Sequence, residues 1–172
     1  MIKLDMAETF LVSVGEQGKE FTMHKHIAIR HSPFFKAALS HDWREAHDKR
    51  ISLPDCEPEI FEGYSQWVYT SEISFSTEPH LQTLELVRLW ILGDFLRDQR
   101  FCETVVNGLF SHELVTGPTA VRHLYDHTSH DSPLRWHILN IWGMRCDVVF
   151  ISELLTSNPE YPKASSSISS DS

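Results

Sequence analysis

Of the 172 residues, 11 are histidine and 3 are cysteine, and the spacing of these side chains decides whether metal or nucleophile chemistry is on offer. His123 and His127 stand about one helical turn apart with Asp126, His130 and Asp131 beside them, and an i, i+4 histidine pair can share one helix face around a zinc ion. Yet no His-Glu-x-x-His occurs, no cysteine is near, and Ser129 to Ser132 read as a helix boundary. The three histidines fit better as a solvated helix end, where imidazoles favour the C-terminal dipole. His24 and His26 make only a lone His-x-His. Cys56, Cys102 and Cys146 are odd in number, widely separated and in no Cys-x-x-Cys pair, which suits neither a disulfide framework nor a zinc knuckle. Cys102 and Cys146 fall in apolar stretches and read as small core residues.

Catalytic signatures are also missing. The chain carries no Gly-x-Ser-x-Gly elbow, no glycine-rich phosphate loop ending in Lys-Ser/Thr and no Gly-x-Gly-x-x-Gly. The acidic pairs Asp42/Glu45 and Glu57/Glu59 lie beside turns or at a helix start, where a carboxylate favours the dipole without any proton-transfer role. No catalytic residue, cofactor or metal ligand is expected, and the chain reads as something other than an enzyme. One residue does stand out for binding. Trp43 sits in the polar run Ser40-His41-Asp42-Trp43-Arg44-Glu45-Ala46-His47-Asp48-Lys49-Arg50, and an amphipathic aromatic there either anchors an interface or folds back to fix its own loop.

The elements that would position these residues follow from hydrophobic spacing. Phe10-Leu11-Val12-Ser13-Val14 is rich in strand formers, and a glycine-bearing link, Gly15-Glu16-Gln17-Gly18-Lys19, leads to the alternating Glu20-Phe21-Thr22-Met23, which predicts a β-hairpin. Ser32-Pro33 then starts a helix carrying Phe34, Phe35, Ala38 and Leu39. Ile51-Ser52-Leu53 predicts a short strand stopped by Pro54. From Pro58, the spacing of Ile60, Phe61, Tyr64, Trp67 and Val68 predicts the clearest amphipathic helix. Residues 81–96 are apolar on most of their circumference, which marks a central helix buried on several sides. Further helices are expected around Phe101 to Phe110, from 118 to about 125, and from 133 to about 150 behind the cap Ser132. The serine-rich residues 158–172 can bury almost nothing and are expected to be disordered.

Composition narrows the class. Fifteen Lys and Arg against 24 Asp and Glu leave a formal charge of -9, which argues against nucleic acid or an anionic membrane surface as partner. With 41% hydrophobic residues the chain can build a core, while the longest uncharged apolar runs, such as Leu89-Trp90-Ile91-Leu92, fall far short of the ~18 residues of a membrane span. The opening residues lack an apolar stretch of signal-peptide length, and the cysteine usage suits a reducing compartment, so a cytoplasmic or nuclear setting is expected. The element order is that of an α+β arrangement in which a small mixed sheet caps a helical cluster, with extra helices at the C-terminal end.

Three stretches then carry a family resemblance. Phe21-Thr22-Met23-His24-Lys25-His26-Ile27-Ala28-Ile29-Arg30-His31-Ser32-Pro33-Phe34-Phe35 resembles the BTB/POZ signature, in which a strand ending in an aromatic and a histidine leads through a helix to Ser-Pro-Phe-Phe. Ile51-Ser52-Leu53-Pro54 with Glu57-Pro58-Glu59-Ile60-Phe61, and Gln66-Trp67-Val68-Tyr69-Thr70, are similar to the family's strand, helix start and helix end. The chain looks most like the stand-alone, fungal-type BTB proteins. The resemblance implies a BTB/POZ domain over residues 9–113, a helical extension over 114–157, the tail over 158–172, and a structural role for His24. Departures fall at Ala28, His31 and Glu8-Thr9, where the family favours leucine, arginine and an opening aspartate; they put the family's charged pocket in doubt. The short run before the first strand leaves no expected swapped strand.

In BTB adaptors the connection between the second helix and the third strand holds a hydrophobic-x-Glu motif that docks on a cullin scaffold, and Trp43-Arg44-Glu45 matches it. The resemblance therefore implies a protein–protein interaction module acting as substrate adaptor of a cullin-type ubiquitin ligase, with Trp43, Arg44 and Glu45 as partner-binding residues. The alternative is an oligomerisation or scaffold module that self-associates without ubiquitin chemistry. Protein partners are expected in either case, with no nucleic acid, membrane, metal or cofactor.

Overall fold

The computed structural model describes residues 8–40, 48–74, 79–111 and 118–138. Trp43, Arg44, Glu45, Cys146, the continuation of the helix expected beyond 138, and the serine-rich residues 158–172 lie outside them. Strand β1 (Thr9–Val14) buries alternate residues, turning Phe10, Val12 and Val14 inward. It is the middle strand of three, in the order β2-β1-β3. β2 (Lys19–His24) pairs with it antiparallel, Val12 opposite Phe21; β3 (Arg50–Leu53) pairs with it parallel, Val12 opposite Ile51. The hairpin closes because Gly15 and Gly18 adopt φ of 76° and 67°, and the Gly18 N–H donates to the Gly15 carbonyl at 3.0 Å. Parallel pairing of β1 with β3 demands a crossover, and helices supply it.

The crossover contains α1 (Lys25–His31) and α2 (Pro33–Ala38). Residue spacing alone treats Ile27 and Ala28 as a lead-in; the family resemblance implies the helix that is found. Periodicity misses α1 because Ala28 is its one fully buried residue. Ser32, held extended by the following proline at φ −117° and ψ 116°, ends α1 and caps α2, its Oγ accepting the Phe35 N–H at 3.2 Å.

Helix α3 (Pro58–Thr70) buries Ile60, Phe61, Tyr64, Trp67 and Val68, the five positions that the spacing selects. Helix α4 (Pro79–Phe95) is central, as its apolar circumference predicts: α3, α5 (Gln99–Ser111) and α6 (Pro118–His127) pack around it. It buries Leu86, Val87, Leu89, Trp90 and Leu92, each large side chain contributing about 1.5–3 kcal/mol by transfer from water. Aromatic rings continue the core across elements, with Tyr64 and Trp67 each 4.9 Å from Phe101. Helix α6 runs two residues past the expected end at about 125. Arg135, ten residues further along, explains this: its guanidinium donates to the carbonyls of Tyr125 and Thr128 and lies over the Tyr125 ring, closing the C-terminal end of α6. Residues 133–138 are helical again. The result is an α+β fold in which a three-stranded mixed sheet caps a cluster of helices.

Candidate functional site

His24 is where strand passes into helix, and its role is structural. Its backbone N–H and its Nδ1 both lie 3.0 Å from the Tyr69 hydroxyl, tying the start of α1 to the end of α3. A charged contact lies beside it. Glu8 takes a 3.1 Å contact from the Lys25 ammonium, with Lys49 at 4.0 Å, and its carbonyl accepts the Lys25 backbone N–H at 2.9 Å. Such a partly exposed pair contributes little to stability, but it fixes the entry of β1 against α1.

A groove of about 340 Å³ lies between the β3–α3 connection, α4 and α6. Leu53, Ile60, Ile91 and Leu92 make it apolar, and Arg88, Glu57, His123 and His127 make its polar side. Arg88 Nη1 donates to Glu57 Oε2 at 3.0 Å, so these two charges are engaged with each other. The histidines divide. His127 is exposed and bonds the His123 carbonyl through Nδ1 at 2.9 Å, as imidazoles at a helix C-terminus do. His123, expected to be solvated like its neighbours, is instead half-buried and stacked on the His127 ring at 4.1 Å; burial, then His127 and Arg88, hold its pKa below the usual histidine value against the pull of Glu57 and Asp126. His130 pairs with Asp131 at 3.3 Å, both exposed. Among the described residues no three His, Cys, Asp or Glu side chains converge as a metal requires. Burial and Glu57 push the Cys56 thiol up to about 12, and burial with Asp94 and Asp98 does the same to Cys102. Both thiols therefore stay protonated near neutrality, the state of packed cysteines.

A second polar cluster is buried where the α1–α2 corner meets the α4–α5 corner. Asp98, 1% exposed, caps α5 by accepting the Phe101 N–H at 3.1 Å and also accepts the Tyr64 hydroxyl at 3.1 Å. Ser32 Oγ donates to the Leu96 carbonyl at 2.6 Å. Burial raises the Asp98 pKa, opposed by the bonds from Phe101 and Tyr64, and burial with the Asp98 charge raises that of Tyr64. Sequence reading missed this cluster. An aspartate three residues before Phe101 is a helix-cap signal that could have been read, but a partner 34 residues away could not.

The expected docking residues Trp43, Arg44 and Glu45 belong to the connection outside the described residues. Its two ends are described. On one side α2 closes at Leu39, which is buried, and Ser40 Oγ donates to the Ala37 carbonyl at 2.8 Å. On the other, Lys49 takes a φ of 48° and its carbonyl accepts the Leu11 N–H at 2.9 Å, entering β3.

Comparison with known proteins places this arrangement. Over 68 residues, 40% of this chain, it is 37% identical to Kelch-like protein 40 of Xenopus laevis and 35% identical to the Xenopus tropicalis protein of the same name. The match spans only 11% of each of those longer proteins. Among solved structures, the BTB domain of zebrafish PATZ1 aligns at TM-score 0.46 and 19% identity over 60% of this chain and 75% of that one. The BTB domain of human Gigaxonin aligns at 0.46 and 12% over 57% and 74%. The BTB/POZ domain model matches residues 6–104, more than half of the chain. That span takes in the hairpin, the α1–α2 corner, β3, α3 and the Asp98 cap, and the chain belongs to the BTB/POZ family.

Proposed function

We propose that this chain is a protein–protein interaction module that serves as substrate adaptor of a cullin-type ubiquitin ligase, with Trp43 and Glu45 as the contact residues and Arg44 between them. The observation that carries this reading is the tripeptide Trp43-Arg44-Glu45 in the connection between α2 and β3, the place where BTB adaptors hold their hydrophobic-x-Glu motif. The partial likeness to kelch-like proteins supports it. Physically, tryptophan gives a large contact area at low entropic cost, and a glutamate two residues on can pair with a donor on the partner. The division into a BTB domain (9–113), helical extension (114–157) and tail (158–172) belongs to the same proposal, as do a cytoplasmic or nuclear setting and a kinship with fungal-type BTB proteins, which rests on the motifs alone. The −9 charge supports protein partners over nucleic acid or anionic membrane.

The test is calorimetric titration with the N-terminal region of a cullin. The proposal expects Trp43→Ala to weaken binding at least tenfold, a loss of about 1.4 kcal/mol or more, with the melting temperature nearly unchanged, and Glu45→Ala to weaken it without destabilising the fold. Wild-type protein that binds no cullin, or binding unaffected in both variants, overturns the adaptor role and leaves the scaffold reading. A large loss of stability in Trp43→Ala, of about 3 kcal/mol, instead marks a tryptophan packed on its own domain.

A further inference from the structure

The seam between the α1–α2 corner and the α4–α5 corner holds an imidazole in an unusual position. His31, the last residue of α1, has a side chain only 14% exposed, and its Nδ1 lies 3.8 Å from Asp98 Oδ2, close enough to feel the carboxylate but beyond hydrogen-bond reach. Its ring meets the buried Trp67 edge-on at 5.2 Å. The carboxylate is already engaged, Oδ2 by Tyr64 and Oδ1 by the Phe101 N–H. The next residue, Ser32, and then Phe34 make the hydrogen bonds that join the corners, Ser32 Oγ at 2.6 Å and Phe34 N–H at 3.4 Å from the Leu96 carbonyl.

We propose that this seam is a proton-sensitive latch: uptake of a proton by His31 loosens the α1–α2 corner from the α4–α5 corner and so frees the start of α2. A cation formed at His31 would be largely cut off from water against the indole of Trp67, with no bond to Asp98 ready to receive it. The groups facing it come from every element around it. Asp98 on the α4–α5 corner favours the charge, Arg100 on α5 and Arg30 on α1 oppose it, and Tyr64 on α3 draws on the same carboxylate. Burial outweighs the carboxylate and lowers the His31 pKa below 6.5. A depressed histidine contributes stability that is fully present above 6.5 and is lost as pH falls through its folded pKa, so acidification opens the latch. Asp98 is raised and has the opposite sign: its burial penalises the ionised form and is relieved as it takes a proton.

Helix α2 leads from this corner straight into the connection that carries Trp43 and Glu45, so the latch would make docking weaker in mild acid; that consequence rests on the adaptor reading, whereas the latch does not. Amide hydrogen exchange on the whole chain, without any partner, separates the two. After correction for intrinsic rates, protection at the Phe34 and Phe35 amides is expected to fall several-fold, up to a ceiling of about tenfold for one histidine, between pH 7.5 and 5.5, while the core of α6 at Leu124 keeps its protection. In His31→Gln, which stays neutral, the two amides should keep theirs; His31→Phe, which preserves a ring against Trp67, gives the same readout if the glutamine variant does not fold. An NMR titration of wild type should place the His31 midpoint below 6.5. Protection that does not change with pH, an equal loss in the neutral variants, or a His31 midpoint at or above 6.5 overturns the latch.

Discussion

Replacing Ser32 with alanine removes one oxygen that serves two helices. The hydroxyl is fully buried. It accepts the Phe35 N–H at 3.2 Å as the cap of α2, and it donates to the Leu96 carbonyl at 2.6 Å. Loss of a serine cap costs about 1 kcal/mol, within ~0.5–2. The second bond costs more than an average hydrogen bond. The Leu96 carbonyl would keep only the long 3.4 Å contact from the Phe34 N–H, and leaving a buried acceptor poorly satisfied costs about 1–3 kcal/mol. No alanine methyl can recover either, and the cavity created is small. Together these give a destabilisation of about 2–4 kcal/mol, a large part of the ~5–15 kcal/mol available to a domain. Urea unfolding followed by circular dichroism reads this directly: with a slope of about 2 kcal/mol per molar, the midpoint should fall by about 1–2 M with the slope unchanged. Ser40→Ala is the control, because Ser40 Oγ makes its one described bond on an exposed turn, to the Ala37 carbonyl, and should cost under about 0.5 kcal/mol. A Ser32→Ala loss below about 1 kcal/mol, or one equal to that of Ser40→Ala, refutes the view that this oxygen joins the two corners.

Two other perturbations test the packing. A Cβ at Gly93 would come 2.7 Å from Phe101 Cδ1 and 2.9 Å from Cys102 Sγ, so Gly93→Ala should lose to overpacking (~1–3 kcal/mol) more than the ~1 kcal/mol it gains in helix propensity; calorimetry should show a lower melting temperature, and a rise refutes the close α4–α5 approach. Because their thiols are pushed up to about 12, Cys56 and Cys102 should alkylate with iodoacetamide at pH 8 at least ~100-fold more slowly than free cysteine (pKa about 8.5) while folded, and at the free rate in denaturant. Peptide mass spectrometry checks this, and fast labelling of either in the folded protein refutes it.

Local pattern carried much of this molecule. The alternation in Phe10 to Val14, the Ser32-Pro33 start and the five buried positions of α3 were legible because each records a one-dimensional rule: strand period, cap chemistry and helix period. The apolar circumference of α4 likewise announced a helix covered on several sides. The three motif stretches were legible as well, because each is a short run of neighbouring residues, even where it passes from one element into the next. Trp43-Arg44-Glu45 was readable as a candidate docking motif for the same reason, being three consecutive residues.

Only the tertiary structure decided which distant groups meet. Nothing local to His31 says that Asp98 stands 3.8 Å away or that Tyr64 has already claimed that carboxylate. Nor does the neighbourhood of His123 reveal that α6 turns it toward Arg88 and Glu57, half-burying an imidazole whose spacing suggests a solvated helix end. Burial and electrostatic environment are properties of a packed volume, and they change protonation, bond strength and the cost of substitution without altering any residue's immediate sequence. Helix and strand period depend on neighbours a few positions away, so the chain displays them openly. The seam between the helix corners depends on the way four helices pack around one carboxylate, and it exists only once they have done so.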